Sequence, residues 1–194
     1  MSINRVFAAA EELQGQLLSE GFMYCFIGGL AVQRWGEPRM TRDADATLLT
    51  NFTDDDRAIS FLLGKFIPRR PDAEDFARRY RVLLIRASNG VDLDVALGAV
   101  DFEQRSVSRA SDWKHRKGHS LKTCSAEDLV VHKAFASRER DWLDIDGICA
   151  RQGAKLDVPL VLAELEPLAA LKDDPDIIPR LRRAFARHAI DKNG

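Results

Sequence analysis

The chain has 194 residues and a mass of 21.8 kDa, enough for one domain or for a small catalytic core with a helical appendage. Its 29 Lys and Arg nearly balance 30 Asp and Glu, and 45% of its residues are hydrophobic, which excludes the signature of a disordered chain and points to no particular partner. Cys25, Cys124 and Cys149 are widely spaced and lack close Cys or His neighbours, which excludes a zinc-binding cluster and fits a reducing cytoplasm.

From the N-terminus, Val6, Leu13, Leu17 and Leu18 fall near one helical stripe with Gly21 at the C-cap, predicting a helix over about 6–18. Arg5, Glu11, Glu12 and Glu20 break any continuous apolar stretch there, so neither a signal peptide nor a membrane span is expected. Phe22 to Ile27 reads as a short strand, Gly28-Gly29 as a turn, and the following LAVQRWG as two helical turns ended by Gly36 and Pro38. Asp43 to Thr50 reads as a strand, followed by a helix with an N-cap in Thr53-Asp54-Asp55-Asp56. Arg79 to Ala87 and Val91 to Leu97 read as antiparallel strands joined through Asn89-Gly90. From Ser125, an N-cap ahead of an acidic first turn, the pattern is helical. The expectation is α/β: a small mixed sheet with helices over 1–120, and a helical C-terminal region over 121–194 packed on that core.

Asp43 and Asp45 lie two apart on a strand, so both leave one face and can converge on a cation. In VDLDVAL the apolar Val91, Leu93, Val95 and Leu97 take one face, which leaves Asp92 and Asp94 together on the other. Close carboxylates repel, and a bound cation removes that cost; all-oxygen donors suit magnesium or manganese rather than zinc. A single Asp-x-Asp is more often a turn cap or a solvated strand edge, and two such pairs on strands shift the balance. Gly28-Gly29, between a strand and a helix, could present backbone N–H groups to phosphate, although such a pair is commonly only a tight turn.

The segment IGGLAVQRWGEPRMTRDADATL resembles the signature of the polymerase-beta-type nucleotidyltransferase superfamily, and most closely its AbiEii/AbiGii toxin-like branch. Thr41, Asp43 and Asp45 match that branch's Thr-x-Asp-x-Asp, and SAEDLVVHKAFASRERDWLDI resembles its later motif, with Lys133, Arg138, Arg140, Asp141 and Asp144 at the characteristic positions. The resemblance covers about Phe26 to Gln152, and the family often has Gly-Ser where this chain has Gly28-Gly29. It implies catalysis by Asp43, Asp45, a third carboxylate and Lys133, with magnesium or manganese held by the three carboxylates. It also implies nucleoside triphosphate binding through Gly28, Gly29, Thr41, Lys133, Arg138, Arg140, Asp141 and Asp144. Alternation alone leaves Asp92 and Asp94 equivalent; the family pattern favours Asp94.

By the same resemblance the acceptor is RNA such as a tRNA end, with a cognate antitoxin as partner. Nucleotidylation of a protein hydroxyl is the alternative, and a non-catalytic binding protein or a metal-dependent phosphohydrolase are rivals. Without the resemblance, Lys133 to Asp144 would read as a solvated, salt-bridged helix face. Arg105 to Lys122, cationic around Trp113, reads either as an RNA contact or as an exposed loop. In the C-terminal RLRRAFARHAIDK, packing is expected of Leu181, Phe185 and Ile190.

Overall fold

The computed structural model describes residues 3–188, so Ile190 lies outside the described residues. Contacts divide the described chain into two compact units, one formed by the residues up to Leu30 with Met40–Cys124, the other by Ala31–Arg39 with those from Ser125 on.

The first unit is built on a seven-stranded mixed sheet. Its strands are β1 (Tyr24–Phe26), β2 (Asp43–Leu49), β3 (Ile67–Pro68), β4 (Val82–Arg86), β5 (Asp92–Gly98), β6 (Ser111–Arg116) and β7 (His119–Thr123), in the spatial order β3-β4-β5-β2-β1-β7-β6. At its centre β2 runs parallel to β5 and antiparallel to β1. Alternation decides the faces: Ala44, Ala46 and Leu48 of β2, Leu83 and Ile85 of β4, and Leu93, Val95 and Leu97 of β5 are all buried in one apolar cluster. That cluster is completed by α1 (Ile3–Ser19), through Val6, Ala9, Ala10, Leu13 and Leu17, and by α3 (Asp55–Leu63), through Ala58, Ile59 and Leu62. Leu18, expected on the α1 stripe, is 58% exposed: one residue past Leu17 turns a side chain about 100° around the helix.

Several sequence boundaries move. The helix α3 is capped at Asp54 rather than Thr53, and no side chain accepts a capping hydrogen bond there. Arg79 and Tyr80, expected to begin a strand, end helix α4 (Ala73–Tyr80). Arg81 then takes a left-handed conformation that turns the chain into β4. The Asn89-Gly90 turn joins β4 and β5 as expected, with Gly90 at φ 82°. Arg105 to Lys122 is not an irregular loop: it holds the end of α5 (Asp101–Arg109) and the β6–β7 hairpin at the sheet edge.

Helix α2 (Gly28–Trp35) starts in the first unit and continues into the second. The second unit adds α6 (Ala126–Ala136), α7 (Glu139–Gln152), α8 (Val158–Lys172) and α9 (Ile177–Arg187). Ser125 caps α6 as the sequence predicts, its side chain accepting from the Asp128 N–H. Leu181 and Phe185 are buried on α9, and Ile145, Ile148 and Leu165 are buried on α7 and α8. Cys25, Cys124 and Cys149 are buried, and burial pushes the Cys149 thiol up to about 12. No described helix is long and apolar enough to cross a membrane.

Candidate active site

The register of the two central strands brings the predicted carboxylates together. In the parallel β2–β5 pair, Asp43 stands beside Asp92 and Asp45 beside Asp94. Neighbours in register share a face, so four carboxylates project from the side of the sheet opposite the apolar cluster. The Asp92 and Asp94 side chains keep about a third of their surface in water.

The glycine pair lies against this array. Gly28 opens α2 at φ 57°, and a Cβ built there would meet the Asp45 carboxyl, 2.7 Å from its Cγ. A side chain at this position and the Asp45 carboxylate therefore exclude one another. A Cβ on Gly29 would come 2.8 Å from the Thr41 Cβ. Thr41 is buried, and its hydroxyl donates to Asp43 Oδ1 at 2.9 Å. Any side chain at Gly29 would thus require Thr41 to move.

Two arginines that the sequence reading missed hold the outer carboxylates. Arg69 follows β3 and donates to Asp94 through Nη1, with its Nε 3.4 Å from Asp92 Oδ2. Arg86 on β4 donates to the other Asp92 oxygen at 2.7 Å. Arg86 faces Asp92 across the predicted hairpin, whereas only the placement of β3 beside β4 brings Arg69 to the carboxylates.

Magnesium or manganese fits the donor chemistry of Asp43, Asp45 and Asp94, three carboxylates on one face at paired register positions. As the side chains stand, no group of three or more His, Cys, Asp or Glu among the described residues could hold a metal ion. The Asp94 carboxylate is directed onto Arg69 instead.

The remaining predicted residues lie in the second unit and form a different structure. The Lys133 ammonium is 2.8 Å from Asp141 Oδ1 and 2.8 Å from Asp144 Oδ2. Arg39 grips Asp144 with two bonds of 2.5 and 2.7 Å, and Arg138 donates to Asp141 at 2.6 Å. Lys133, Asp141 and Asp144 are buried, so the solvated-face reading of this motif fails; the exposed members are Arg138 and Arg140. Burial pushes the Asp144 and Asp141 carboxyls up. Hydrogen bonds outweigh it, from Arg39 and Lys133 to Asp144 and from Arg138 and Lys133 to Asp141, and hold both below the usual carboxylate range. Arg39 carried no sequence signal, since it joins the network only through tertiary folding.

The family model for the nucleotidyl transferase AbiEii toxin of type IV toxin–antitoxin systems matches residues 16–194. The chain belongs to this family. It is accordingly a nucleotidyltransferase, and the match extends past the motif region where the sequence resemblance stopped. No curated protein matches the chain. Among solved structures, it is similar to an antigenic nucleotidyltransferase-like protein from Paracoccidioides brasiliensis, at 18% identity over 94% of each chain with a TM-score of 0.55, a likeness of fold. It also aligns with the antibiotic-resistance factor ANT(2'')-Ia at 15% identity, over 97% of this chain and 95% of that one, with a TM-score of 0.47. Within the AbiEii family the α/β fold expected from sequence holds, with its mixed sheet and C-terminal helices.

Proposed function

We propose that this AbiEii-family chain transfers a nucleotide from a nucleoside triphosphate to RNA, such as a tRNA end, using magnesium or manganese held by Asp43, Asp45 and Asp94. The observation that carries the reading is the parallel register of Asp45 with Asp94 beside Gly28, which gathers carboxylates from two strands at a helix start. Two divalent ions, when bound, stabilise the attacking and leaving oxygens of an in-line displacement. Asp43 and Asp45 would hold both ions, with the Thr41 hydroxyl fixing the Asp43 carboxylate. Asp94 would complete the set and accept the proton of the attacking hydroxyl. Gly28 and Gly29 would leave the backbone N–H groups at the start of α2 open to phosphate oxygens. For Lys133, Arg138, Arg140, Asp141 and Asp144, contact with the nucleotide rests on the family resemblance. A cognate antitoxin protein is the partner proposed from the family, and an odd number of widely spaced cysteines suits a cytoplasmic setting.

The test is incubation of the protein with each labelled nucleoside triphosphate, magnesium and total cellular RNA or protein. Labelled RNA that disappears with Asp45→Asn is the expected result. Label in protein instead would make a side-chain hydroxyl the acceptor. Phosphate release without label would replace transfer by hydrolysis, and undiminished transfer by Asp45→Asn would overturn the carboxylate assignment.

A further inference from the structure

Arg69 has a placement that the proposed chemistry does not use. It is anchored by its own backbone, whose N–H donates to the Leu84 carbonyl at 3.0 Å, extending the β3–β4 pairing by one position. Leu84 is in register with Asp94, and Asp94 with Asp45. Arg69, Leu84, Asp94 and Asp45 therefore form one row across the sheet, and the Arg69 side chain reaches along it over Leu84 to Asp94. Its two carboxylate contacts are unequal. Asp92 also receives a hydrogen bond from Arg86, whereas the ion-pair partner of Asp94 among the described residues is Arg69. Both partners are part-exposed, at 23% and 35% of their side-chain surface, so the pair is of the weak, exchangeable kind rather than a buried lock.

We propose that Arg69 is a positioning residue that competes with the divalent ion for Asp94. With no metal bound, its guanidinium satisfies the third carboxylate and relieves the repulsion that Asp94 would exert on Asp45. Metal binding requires the Asp94 side chain to leave Arg69 and turn toward Asp43 and Asp45, while Asp92 keeps Arg86. Arg69 thereby raises the concentration of divalent ion that the site needs. This inference rests on the proposed metal site.

The experiment is calorimetric titration of the full chain with manganese, without nucleotide. Loss of a weak, part-exposed ion pair corresponds to at most about a fivefold change in affinity, so Arg69→Gln should tighten manganese binding by about two- to fivefold. Arg69→Lys, which keeps the charge, should stay near wild type. Arg86→Gln removes a neighbouring charge without touching Asp94 and should change affinity less than Arg69→Gln. Asp45→Asn separates the two levels of the claim. Manganese binding that survives Asp45→Asn overturns the metal site itself. Binding abolished by Asp45→Asn but unchanged or weakened by Arg69→Gln overturns only the role of Arg69. An equal gain from Arg86→Gln also overturns it, by reducing the effect to general charge. A second readout needs no loss of charge: the side-chain N–H signals of Arg69, assigned with Arg69→Lys, should become faster exchanging as magnesium is added to the wild-type protein. Signals still protected at saturating magnesium would show that Asp94 never leaves Arg69.

Discussion

Replacing Lys133 by methionine keeps the unbranched apolar stem of the side chain and removes the ammonium that two buried carboxylates share. Its side chain is 8% exposed and those of Asp141 and Asp144 are 2% and 3% exposed, so the variant strands negative charge away from water. Breaking a buried ion pair by deleting one partner costs about 3–5 kcal/mol. The lower end applies, because Asp144 keeps the paired bonds from Arg39 and Asp141 keeps Arg138. A loss of about 3 kcal/mol is expected at neutral pH, which lowers the folding equilibrium constant about a hundredfold. Urea unfolding followed by two probes measures it, with an unchanged slope showing that the same surface is exposed. The pH dependence fixes the cause. Both carboxyls are held below their unfolded value of about 3.9, so their contribution is complete above that pH and is lost as pH falls through the lower folded values. The gap between wild type and Lys133→Met should therefore be widest above about pH 5 and close in acid. A variant within about 0.5 kcal/mol of wild type at pH 7, or a gap that widens in acid, would refute the shared-cation account of Lys133.

Gly28→Ala should lower stability by at least the left-handed penalty of about 1–2 kcal/mol and abolish transfer, since the new Cβ displaces the Asp45 carboxylate; melting curves and labelling assays report the two effects separately. Asp94→Asn should remove transfer by orders of magnitude, while Asp92→Asn, opposite Asp43 and tied to Arg86, should cost about ten- to a hundredfold at most under saturating magnesium and nucleotide. The reverse ranking would move the third ligand one pleat along β5. Ser125→Ala, by removing the N-cap of α6, should cost about 1 kcal/mol in denaturant unfolding without altering transfer.

Local rules written in the sequence determined much of this protein. The two-residue spacing of Asp43 and Asp45, and period-two alternation in Val91 to Leu97, assigned each aspartate its face, because a strand offers only two. Asn89-Gly90 and Ser125 marked a hairpin and a helix start, because their chemistry acts within a few residues. The glycine pair, the acidic pair and the later Lys133 motif were enough to point to the family. The sequence could not say which strands outside that hairpin would be neighbours. That β2 lies parallel to β5, with Asp45 opposite Asp94, is a pairing between segments far apart in the chain, fixed by burial of the shared apolar face. The tertiary structure likewise decided that Arg69 stands over Asp92 and Asp94, and that Arg39 joins Lys133, Asp141 and Asp144. An ion pair requires only that two long side chains end at the same place, and nothing in the composition near Arg39 or Arg69 specifies a partner. The same limit explains why, without the family resemblance, Lys133 would read as a solvated charge: helical spacing shows which residues share a face, but only the packing of α6 against α7 shows that this face is covered.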